Sequence, residues 1–219
     1  MPSSTVENYL KQIPVESIQA ESSEVAMGKV AECLQVTPGT ATTMMKSLEK
    51  KGWLKYRPRK GVMLTSAGRK VGMNMLRRHR LLETFLVETL GLDWGEIHDE
   101  AEELEHAISE KVLEKLDEFL GRPSHDPHGD PIPTKRGTMP KASNRSLLDC
   151  VEGDCVRIES IQDQGRKFLQ FARKNKLVPG KRIEIIRHDE IADSIELKVE
   201  QKTILNLGSK TAEKIVIRS

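Results

Sequence analysis

Apolar positions recur with a helical period near the start of the chain. A first helix, predicted over residues 4–20, turns one set of side chains inward: Val6, Leu10, Ile13 and Ile18. Pro14 should kink this helix or end its first half. The stretch GKVAECLQV predicts a short helix, and TPGTATTMMKSLEKKG predicts a longer one with Thr37 as N-cap and Pro38 as first residue. A short helix, a tight turn and a second helix form the pattern of a helix-turn-helix motif.

The longer of these two helices has a core face and an outer face. Its inward positions follow helical spacing: Ala41, Met44, Met45 and Leu48. Its outer side carries small, hydroxyl and basic residues: Gly39, Thr40, Thr43, Lys46 and Lys50. After it, WLKYRPRKGVMLT predicts two strands, 53–57 and 61–65. The turn between them is basic: Arg57, Arg59 and Lys60. Such a hairpin alone fits an ordinary exposed turn, but together with the helix pair it favours a DNA-binding wing.

More helices are predicted before residue 122. A long helix runs from after Thr65 to Leu90 and stops at Gly91, and HDEAEELEH, residues 98–106, forms the next helix. The stretch SEKVLEKLDEFLG starts at a Ser109 cap and has one apolar side: Val112, Leu113, Leu116 and Leu120. This apolar side could equally pack within the chain or form a dimer interface.

The amino-acid composition changes after Arg122. Residues 122–146 are rich in Pro, Gly, Ser and charge, which predicts a loop and linker. Within it, His125 and His128 are either loop histidines or metal ligands. Short alternating strands follow in CVRIESI, KRIEIIRH, SIELKV, TILNL and KIVIRS, with a helical turn at RKFLQFARK. Strands this short and this close together predict a small β-barrel.

Charge is strongly segregated along the 219 residues, although the net charge is only +2. Residues 40–80 hold twelve Lys and Arg against one acid, whereas residues 81–118 hold thirteen acids against two lysines. The first segment should attract polyanions, and the second should attract cations.

Composition also narrows the cellular context. No stretch approaches the roughly 20 apolar residues of a membrane span, and the N-terminus lacks the basic and apolar regions of a signal peptide. Cys33, Cys150 and Cys155 lack paired spacing, so we expect reduced, inert thiols and neither a disulfide framework nor a thiolate zinc site. We therefore expect a cytoplasmic protein with no membrane partner.

The acidic helix gathers possible metal ligands on one side. At about 100° per residue, these side chains fall within one arc: His98, Glu102, Glu105 and His106. Ala101, Leu104 and Ile108 occupy the adjoining stripe, which a surface helix turns toward the core. Carboxylates beside buried surface repel one another unless a cation neutralises them, and imidazole nitrogens with carboxylate oxygens suit a divalent first-row metal. A solvated acidic face is the alternative that this stretch leaves open.

Enzyme signatures are missing from the sequence. A di-metal helical enzyme needs Glu-x-x-His on two helices, and only Glu103 to His106 has that spacing, with Glu103 outside the arc of candidate ligands. HExxH, HxxEH, a Gly-rich phosphate loop and a nucleophile–base pair are also absent. We therefore expect no enzyme activity and no small-molecule substrate.

The order of these motifs resembles that of the diphtheria toxin repressor and manganese transport regulator family over nearly the whole chain. The resemblance rests on the winged helix-turn-helix, RRHRLLETFL, HDEAEELEH, DPHGDPIP and a small barrel containing LVPGKRIEI. It implies a mainly α fold with a β-wing. The implied parts are a winged helix-turn-helix DNA-binding domain (1–73), a helical metal-binding and dimerisation domain (74–122), a linker (123–148) and a C-terminal SH3-like, FeoA-like barrel (149–219).

The resemblance also implies a function. Members of the family are homodimeric repressors that bind palindromic operator DNA when loaded with a divalent metal and control metal-uptake genes. Carried over to this chain, their metal ligands form two clusters. One consists of His79, Glu83 and His98, and the other of Asn8, Glu102, Glu105 and His106.

Some positions depart from the family pattern. Glu102 stands where iron-type members have a cysteine, and Asn8 stands where members supply a methionine or an aspartate. Lys11 stands where manganese-type members place a glutamate, which argues against a bridged two-metal centre of that type. A ligand set of oxygen and imidazole predicts Mn²⁺ first and Fe²⁺ second, with two sites per subunit. Zn²⁺ and other divalent metals can substitute, because Zn²⁺ binds such ligands more tightly.

The resemblance further implies how metal and DNA are connected. Metal binding would fix the angle of each winged domain to the dimer core, and hence the spacing of the two recognition helices. The positions that match the family's DNA contacts are Thr37, Gly39, Thr40, Thr42, Thr43, Arg57, Arg59 and Lys60. The alternative is a winged-helix transcription regulator that responds to a non-metal effector.

Overall fold

The chain folds as two units, and the computed structural model describes residues 2–20, 22–140 and 143–218. The N-terminal unit contains Met1–His79, Glu105–Ala107 and Pro133–Met139. The C-terminal unit contains Arg80–Leu104, Ile108–Ile132 and Pro140–Ser219. Within the described ranges, no helix is both long and apolar enough to cross a bilayer.

The N-terminal unit contains the predicted helix-turn-helix and wing. Its elements are α1 Ser4–Gln19, α2 Met27–Cys33, α3 Pro38–Lys50, β1 Leu54–Arg57, β2 Gly61–Leu64 and the first part of α4 Ser66–Glu88. The start of α3 is as predicted, because the Thr37 side chain accepts a hydrogen bond from the Thr40 N–H and Pro38 follows as the first helical residue. Apolar side chains of α1, α2, α3 and the wing form one core, in which Leu10 and Met45 are fully buried.

Pro14 lies inside α1 and does not end it. A proline lacks the N–H that would bond the carbonyl four residues earlier, so the Leu10 carbonyl loses its helical partner. Gly72 of α4 comes close to this carbonyl, since a Cβ built on Gly72 would lie 2.1 Å from the Leu10 oxygen. Of the two outcomes expected for Pro14, termination of the helix is therefore excluded. Glycine at position 72 allows the close approach of α4 to α1.

The wing is a two-stranded antiparallel hairpin that is anchored to the core. β1 pairs with β2 from Leu54↔Leu64 to Arg57↔Gly61, and Val25 adds an isolated bridge to Val62. Gly61 is required at this bridge, because its φ is 147° and a Cβ there would lie 2.3 Å from the Val25 carbonyl oxygen. The hairpin is therefore held to the rest of the unit close to its basic turn.

The C-terminal unit contains the end of α4, most of the acidic helix, and the barrel. Its helices are α5 Ile97–Glu105, α6 Glu110–Phe119, α7 Arg166–Lys174 and α8 Ser209–Ala212, and a 3-10 turn covers Leu147–Asp149. Its strands are β3 Cys155–Ile161, β4 Arg182–Asp189, β5 Ser194–Val199, β6 Thr203–Gly208 and β7 Ile215–Arg218. They form one antiparallel sheet in the order β6-β5-β4-β3-β7. The predicted strands and helical turn are confirmed, and Ser219, at the end of the last predicted strand, lies outside the described residues.

Helices α5 and α6 bury partly different faces from those predicted. On α5, Ala101 and Glu105 are fully buried, but Leu104 is 42% exposed, so its predicted inward position is wrong. On α6, Leu113 is buried whereas Val112 is 55% exposed. Of the two uses left open for the apolar side of α6, intrachain core therefore applies to Leu113, while Val112 remains accessible.

Residues 122–146 have no helix or strand where they are described, as predicted for a loop. The segment is nevertheless packed, because Asp126, His128 and Ile132 are buried. The N–H of Ile161 on β3 donates to the His128 carbonyl at 2.9 Å. The polar side chains of this segment are therefore held against the barrel.

Candidate metal centre and nucleic-acid interface

Glu105, the last residue of α5, is a fully buried carboxylate in the N-terminal unit. Its Oε1 lies 3.6 Å from His106 Nε2, and its Oε2 lies 2.8 Å from His79 Nδ1. Two imidazoles therefore converge on one carboxylate, and all three residues are predicted metal ligands.

The other nitrogen of the His106 ring fixes its orientation. His106 Nδ1 lies 2.7 Å from Oε2 of Glu7 on α1. A carboxylate only accepts, so Nδ1 carries a proton, and when the ring is neutral Nε2 keeps a lone pair. That Nε2 is buried without a hydrogen-bond partner and faces Glu105. A lone pair directed at a buried carboxylate oxygen is an arrangement that a cation between them stabilises.

Lys11 of α1 brings a positive charge into this cluster. Its ammonium donates to both oxygens of Glu105, at 2.8 and 3.0 Å, and lies 3.4 Å from His79 Nδ1. The side chains of Lys11 and Glu105 are 7% and 0% exposed. Because a buried carboxylate is tolerated only when it is paired, Lys11 is the counter-charge of Glu105 in this structure.

Glu7 of the first helix contacts the cluster, and Asn8 follows it in the sequence. Asn8, a predicted ligand, is half-buried, and its Oδ1 is buried without a hydrogen-bond partner. Glu7 was not predicted, although it holds the His106 ring directly. Nothing in the sequence marks it, because an acid in the first turn of a helix is an ordinary favourable placement.

A second group of buried ligands lies in the C-terminal unit. Glu83, Asp126 and His128 each offer a ligand atom, and these atoms lie within 4.8 Å of one another. All three residues are buried, and Glu83 Oε2 lies 4.0 Å from His128 Nδ1. Only Glu83 was predicted as a ligand. For His128 the sequence left a loop residue and a metal ligand as alternatives, and Asp126 was missed because the Pro- and Gly-rich segment around it is typical of an exposed loop.

His128 is oriented by Trp94. Its Nε2 lies 2.9 Å from the Trp94 carbonyl oxygen, and the two rings stack at a centroid distance of 5.4 Å. A carbonyl only accepts, so Nε2 carries a proton, and when the ring is neutral Nδ1 keeps a lone pair. This Nδ1 is buried without a hydrogen-bond partner on the side of Glu83. The arrangement repeats that of His106: an acceptor holds one nitrogen, and the other is directed at a buried carboxylate.

Asp126 has other acids around it. Burial first, and then the charges of Asp130 and Glu83, raise the pKa of Asp126 well above its usual value, whereas Arg80 lowers it. Asp126 Oδ1 accepts from the N–H groups of His128 and Asp130. Its Oδ2 is buried without a hydrogen bond, 3.5 Å from Arg80 Nε. The ionised form of Asp126 is therefore incompletely compensated, and a dication at this carboxylate would favour it.

His98 and Glu102 lie one turn apart on α5 at the solvent edge of the same unit. His98 Nδ1 is 3.5 Å from Glu83 Oε1, and His98 Nε2 is 3.9 Å from Glu102 Oε1. The side chain of His98 is 51% exposed and that of Glu102 is 28% exposed. The structure therefore brings His98 close to both carboxylates, at a position that solvent ions can reach.

The donor atoms of both groups fit a divalent first-row metal. Ligand atoms that are buried without a hydrogen-bond partner occur in each group: Asn8 Oδ1, His106 Nε2, Asp126 Oδ2 and His128 Nδ1. Buried polar atoms are normally paired, so a cation bound at these atoms would satisfy them. The available donors are oxygen and imidazole nitrogen, which suit Mn²⁺ or Fe²⁺.

The cysteines are free thiols and lie apart from these groups in the sequence. Burial, followed by a hydrogen bond to Glu16, raises the pKa of Cys33 to about 11, so this thiol stays protonated near neutral pH.

The first turn of α3 presents small side chains to solvent. Exposed positions among the predicted DNA contacts are Thr37, Gly39, Thr40 and Thr43, with Thr42 half-exposed. The Thr42 hydroxyl donates to the Pro38 carbonyl at 2.8 Å, and the Thr43 hydroxyl donates to the Gly39 carbonyl at 3.0 Å. Because these hydroxyls are engaged within the helix, the threonines offer their methyl groups, which can contact thymine methyls in the major groove.

The wing and the outer side of α3 both carry exposed cations. Arg57, Arg59 and Lys60 of the wing are exposed, as are Lys46 and Lys50 on the outer side of α3. An exposed cationic surface beside an accessible helix N-terminus is suited to DNA phosphates.

Family models match three successive parts of the chain. The model described as "Iron dependent repressor, N-terminal DNA binding domain" matches residues 1–62, and "Iron dependent repressor, metal binding and dimerisation domain" matches residues 65–134. The "FeoA domain" model matches residues 145–219. The DNA-binding, helical and barrel parts expected from the sequence are therefore confirmed as parts of this fold.

Similar proteins include the iron-dependent repressors IdeR of Mycobacterium leprae (strain TN) and Mycobacterium tuberculosis (strain ATCC 25618 / H37Rv). Each is 34% identical over 152 residues, which is 68% of this chain and 65% of the relative. The chain thus matches slightly less than two thirds of the length of these relatives.

Solved structures match over nearly the whole chain. A manganese-dependent transcriptional repressor in complex with manganese is 35% identical, with a TM-score of 0.88, covering 98% of this chain and 99% of that chain. ScaR with bound Zn²⁺ is 30% identical, with a TM-score of 0.80, covering 100% of both chains. The sequence, the order of parts and the fold agree: the chain belongs to the family of iron- and manganese-dependent transcriptional repressors that includes the diphtheria toxin repressor and the manganese transport regulator.

Proposed function

We propose that this protein is a metal-dependent transcriptional repressor that binds operator DNA as a homodimer. Two buried imidazole nitrogens carry the proposal: His106 Nε2 and His128 Nδ1, each directed at a buried carboxylate and each without a hydrogen-bond partner. A dication satisfies both nitrogens and compensates the carboxylates. Relatives named as iron- or manganese-dependent repressors support the same function.

Mn²⁺ is the proposed effector, with Fe²⁺ as the second candidate. Oxygen and neutral imidazole ligands suit these ions, whereas thiolates and thioethers select softer metals. One similar structure holds manganese, and structures of ScaR hold Zn²⁺ or Cd²⁺. Zn²⁺ should therefore also bind in solution, and selectivity for Mn²⁺ depends on coordination number, geometry and cellular availability.

The proposed ligands divide between the two units. Those of the N-terminal unit are Asn8, His79, Glu105 and His106. Those of the C-terminal unit are Glu83, His98, Glu102, Asp126 and His128. A bound dication would add positive charge beside these carboxylates. Glu7 and the Trp94 carbonyl keep the two ligating rings in the tautomer that offers a lone pair to it.

Each cluster joins segments that are distant in the sequence. Glu105 and His106 at the end of α5 meet α1, and Asp126 and His128 of the linker meet Glu83 of α4. Closing these clusters restricts motion within each unit. An effector raises DNA affinity only if it binds better to the state that DNA also prefers, so we propose that the restricted state is the DNA-binding one.

Contact with DNA is assigned to α3 and the wing, at Thr37, Gly39, Thr40, Thr42, Thr43, Arg57, Arg59 and Lys60. Phosphate contacts should dominate the affinity, with methyl contacts and DNA shape supplying specificity. Leu104, Val112 and Phe119 are exposed apolar residues that a dimer seam would cover. A dimer presents two recognition helices to a palindromic operator.

The proposed repressor function also implies a cellular location and the absence of catalysis. A repressor of metal-uptake genes acts in the cytoplasm, catalyses no reaction and needs no small-molecule substrate. The domain boundaries after residues 73, 122 and 148 stay predictions.

Fluorescence anisotropy tests this function directly. DNA would be selected from a random-sequence duplex pool at saturating Mn²⁺ and then titrated with metal-free and Mn²⁺-loaded protein. Mn²⁺ should raise the DNA affinity at least about tenfold, a normal size for allosteric coupling. His106→Ala should reduce this gain, whereas Glu103→Ala, at an exposed position of α5, should leave it intact.

Two outcomes would count against the proposal. Equal DNA affinity with and without Mn²⁺ would favour the winged-helix regulator with a non-metal effector. Affinity that does not fall steeply with salt would contradict a phosphate-dominated interface.

A further inference from the structure

Lys11 is in contact with both oxygens of a carboxylate that we assign as a metal ligand. We infer that Lys11 is a built-in competitor of the metal: it neutralises Glu105 in the metal-free protein and thereby sets the metal concentration at which the N-terminal cluster loads. This inference rests on the proposed function and deepens it. It names a residue that determines affinity without binding the ion.

The burial of Lys11 supports this role. A lysine on a helix normally keeps its ammonium in water, since desolvating the charge is unfavourable. Here the ammonium is almost fully buried and reaches a carboxylate 94 positions away in the sequence. Glu105, with no exposed surface of its own, is the group that makes this placement stable.

Both oxygens of Glu105 are occupied by short contacts. Oε1 accepts from Lys11 at 2.8 Å, while Oε2 lies 3.0 Å from Lys11 and 2.8 Å from His79 Nδ1. A second cation that binds Glu105 must displace the ammonium or share these oxygens with it. Either route weakens binding, because the ammonium attracts the carboxylate and repels a dication at short range.

The charge at position 11 also explains how the metal-free cluster remains folded. Without Lys11, Glu105 would be a buried carboxylate beside two imidazoles, and its burial would be strongly unfavourable. The ammonium therefore stabilises the empty cluster and opposes its loading through the same contact.

The test is a calorimetric titration of metal-free protein with Mn²⁺ alone, without DNA. Lys11→Met removes the charge while keeping an unbranched apolar side chain. The variant should bind Mn²⁺ about ten- to a hundredfold more tightly at the N-terminal cluster, since a buried like charge is removed. The metal-free variant should also unfold at a lower temperature than wild type, which is a readout that needs no metal.

Lys29→Met is the matched control. Lys29 lies in the same unit, is half-exposed and pairs with Glu32 at 3.4 Å, so the substitution makes the same charge change at the surface. It should leave both the Mn²⁺ affinity and the unfolding temperature near the wild-type values.

Two further variants guard against a folding defect. Adding Glu105→Gln to Lys11→Met removes the uncompensated carboxylate, so the metal-free double variant should regain unfolding temperature. If Lys11→Met does not fold, Lys11→Gln carries the same test, because its amide can donate to Glu105 without a positive charge.

The outcomes separate this inference from the proposed function. Unchanged or weaker Mn²⁺ binding in the folded Lys11 variants, with normal binding by wild type, overturns the role of Lys11 and leaves the proposed function standing. An absence of Mn²⁺ binding by wild type overturns both.

Discussion

The two buried clusters orient a histidine in the same way but balance charge differently. In the N-terminal unit, Glu105 is paired with the ammonium of Lys11 at 2.8 Å. In the C-terminal unit, Asp126 lies close to other carboxylates, and Arg80 approaches its Oδ2 only to 3.5 Å. The carboxylate of the first cluster is therefore paired with a cation at hydrogen-bonding distance, whereas Asp126 has only a longer ion pair with Arg80.

Because of this difference, a bound metal has a different electrostatic effect in each cluster. Loading of the N-terminal cluster replaces or crowds an existing cation, whereas loading of the C-terminal cluster relieves repulsion between buried acids. We therefore expect the C-terminal cluster to load at the lower Mn²⁺ concentration.

Glu105→Gln should have the largest effect on folding of the metal-free protein. The substitution removes the buried carboxylate that the Lys11 ammonium contacts at 2.8 Å, which should cost about 3 kcal/mol in unfolding free energy. Urea denaturation of metal-free protein measures it. Glu103→Gln, on the exposed side of α5, is the control and should stay within about 0.5 kcal/mol of wild type. Equal losses in the two variants would mean that the Lys11–Glu105 pair does not stabilise the protein.

His128→Ala should weaken Mn²⁺ binding about ten- to a hundredfold, because it removes a lone pair that a buried ring directs at Glu83. Competition with a fluorescent chelator measures the affinity. His125→Ala is the matched control, since His125 belongs to the same segment but is exposed. If both histidine variants bind Mn²⁺ equally well, the C-terminal cluster is not a metal site.

Asp126→Asn should have the smallest effect of these substitutions. The effect should appear in the pH dependence of the unfolding free energy of the metal-free protein. The raised pKa of Asp126 means that folding favours its protonated form, so this contribution is present at low pH and is lost as pH rises through the folded-state pKa. Asparagine does not titrate, so stability should shift in favour of the variant as pH increases. Denaturation curves from pH 4 to pH 8, roughly the range around a raised carboxyl pKa, measure the shift. Asp99→Asn, at an exposed site, should follow wild type at every pH, and identical behaviour of the two variants would contradict the assigned environment.

Local features of the fold were predictable from the sequence. The cap at Thr37, the cap at Ser109 and the alternating barrel strands depend on neighbouring residues, so their signals are contained in short stretches. The inward position of Leu104 was wrong, because a helical period alone does not say which part of a broad apolar face meets the core.

The candidate site was only partly predictable. His79, Glu83, His98 and the acidic helix stood out through residue type and spacing. His128 did not, because its burial depends on Trp94 and the barrel, which are distant in the sequence. The contact of Lys11 with Glu105 was equally hidden, since it joins α1 to the end of α5. Contacts between residues that are distant in the sequence produce no pattern within a short stretch of it.

The most direct test of the central claim is a calorimetric titration of metal-free protein with Mn²⁺, comparing wild type with the His106→Ala/His128→Ala double variant. These two rings, each directed at a buried carboxylate, supply ligands to the two metal sites in the proposed function. Wild type should take up one ion for each cluster, and the folded double variant should lose both binding events. Uptake by the double variant with wild-type affinity and stoichiometry would contradict the account.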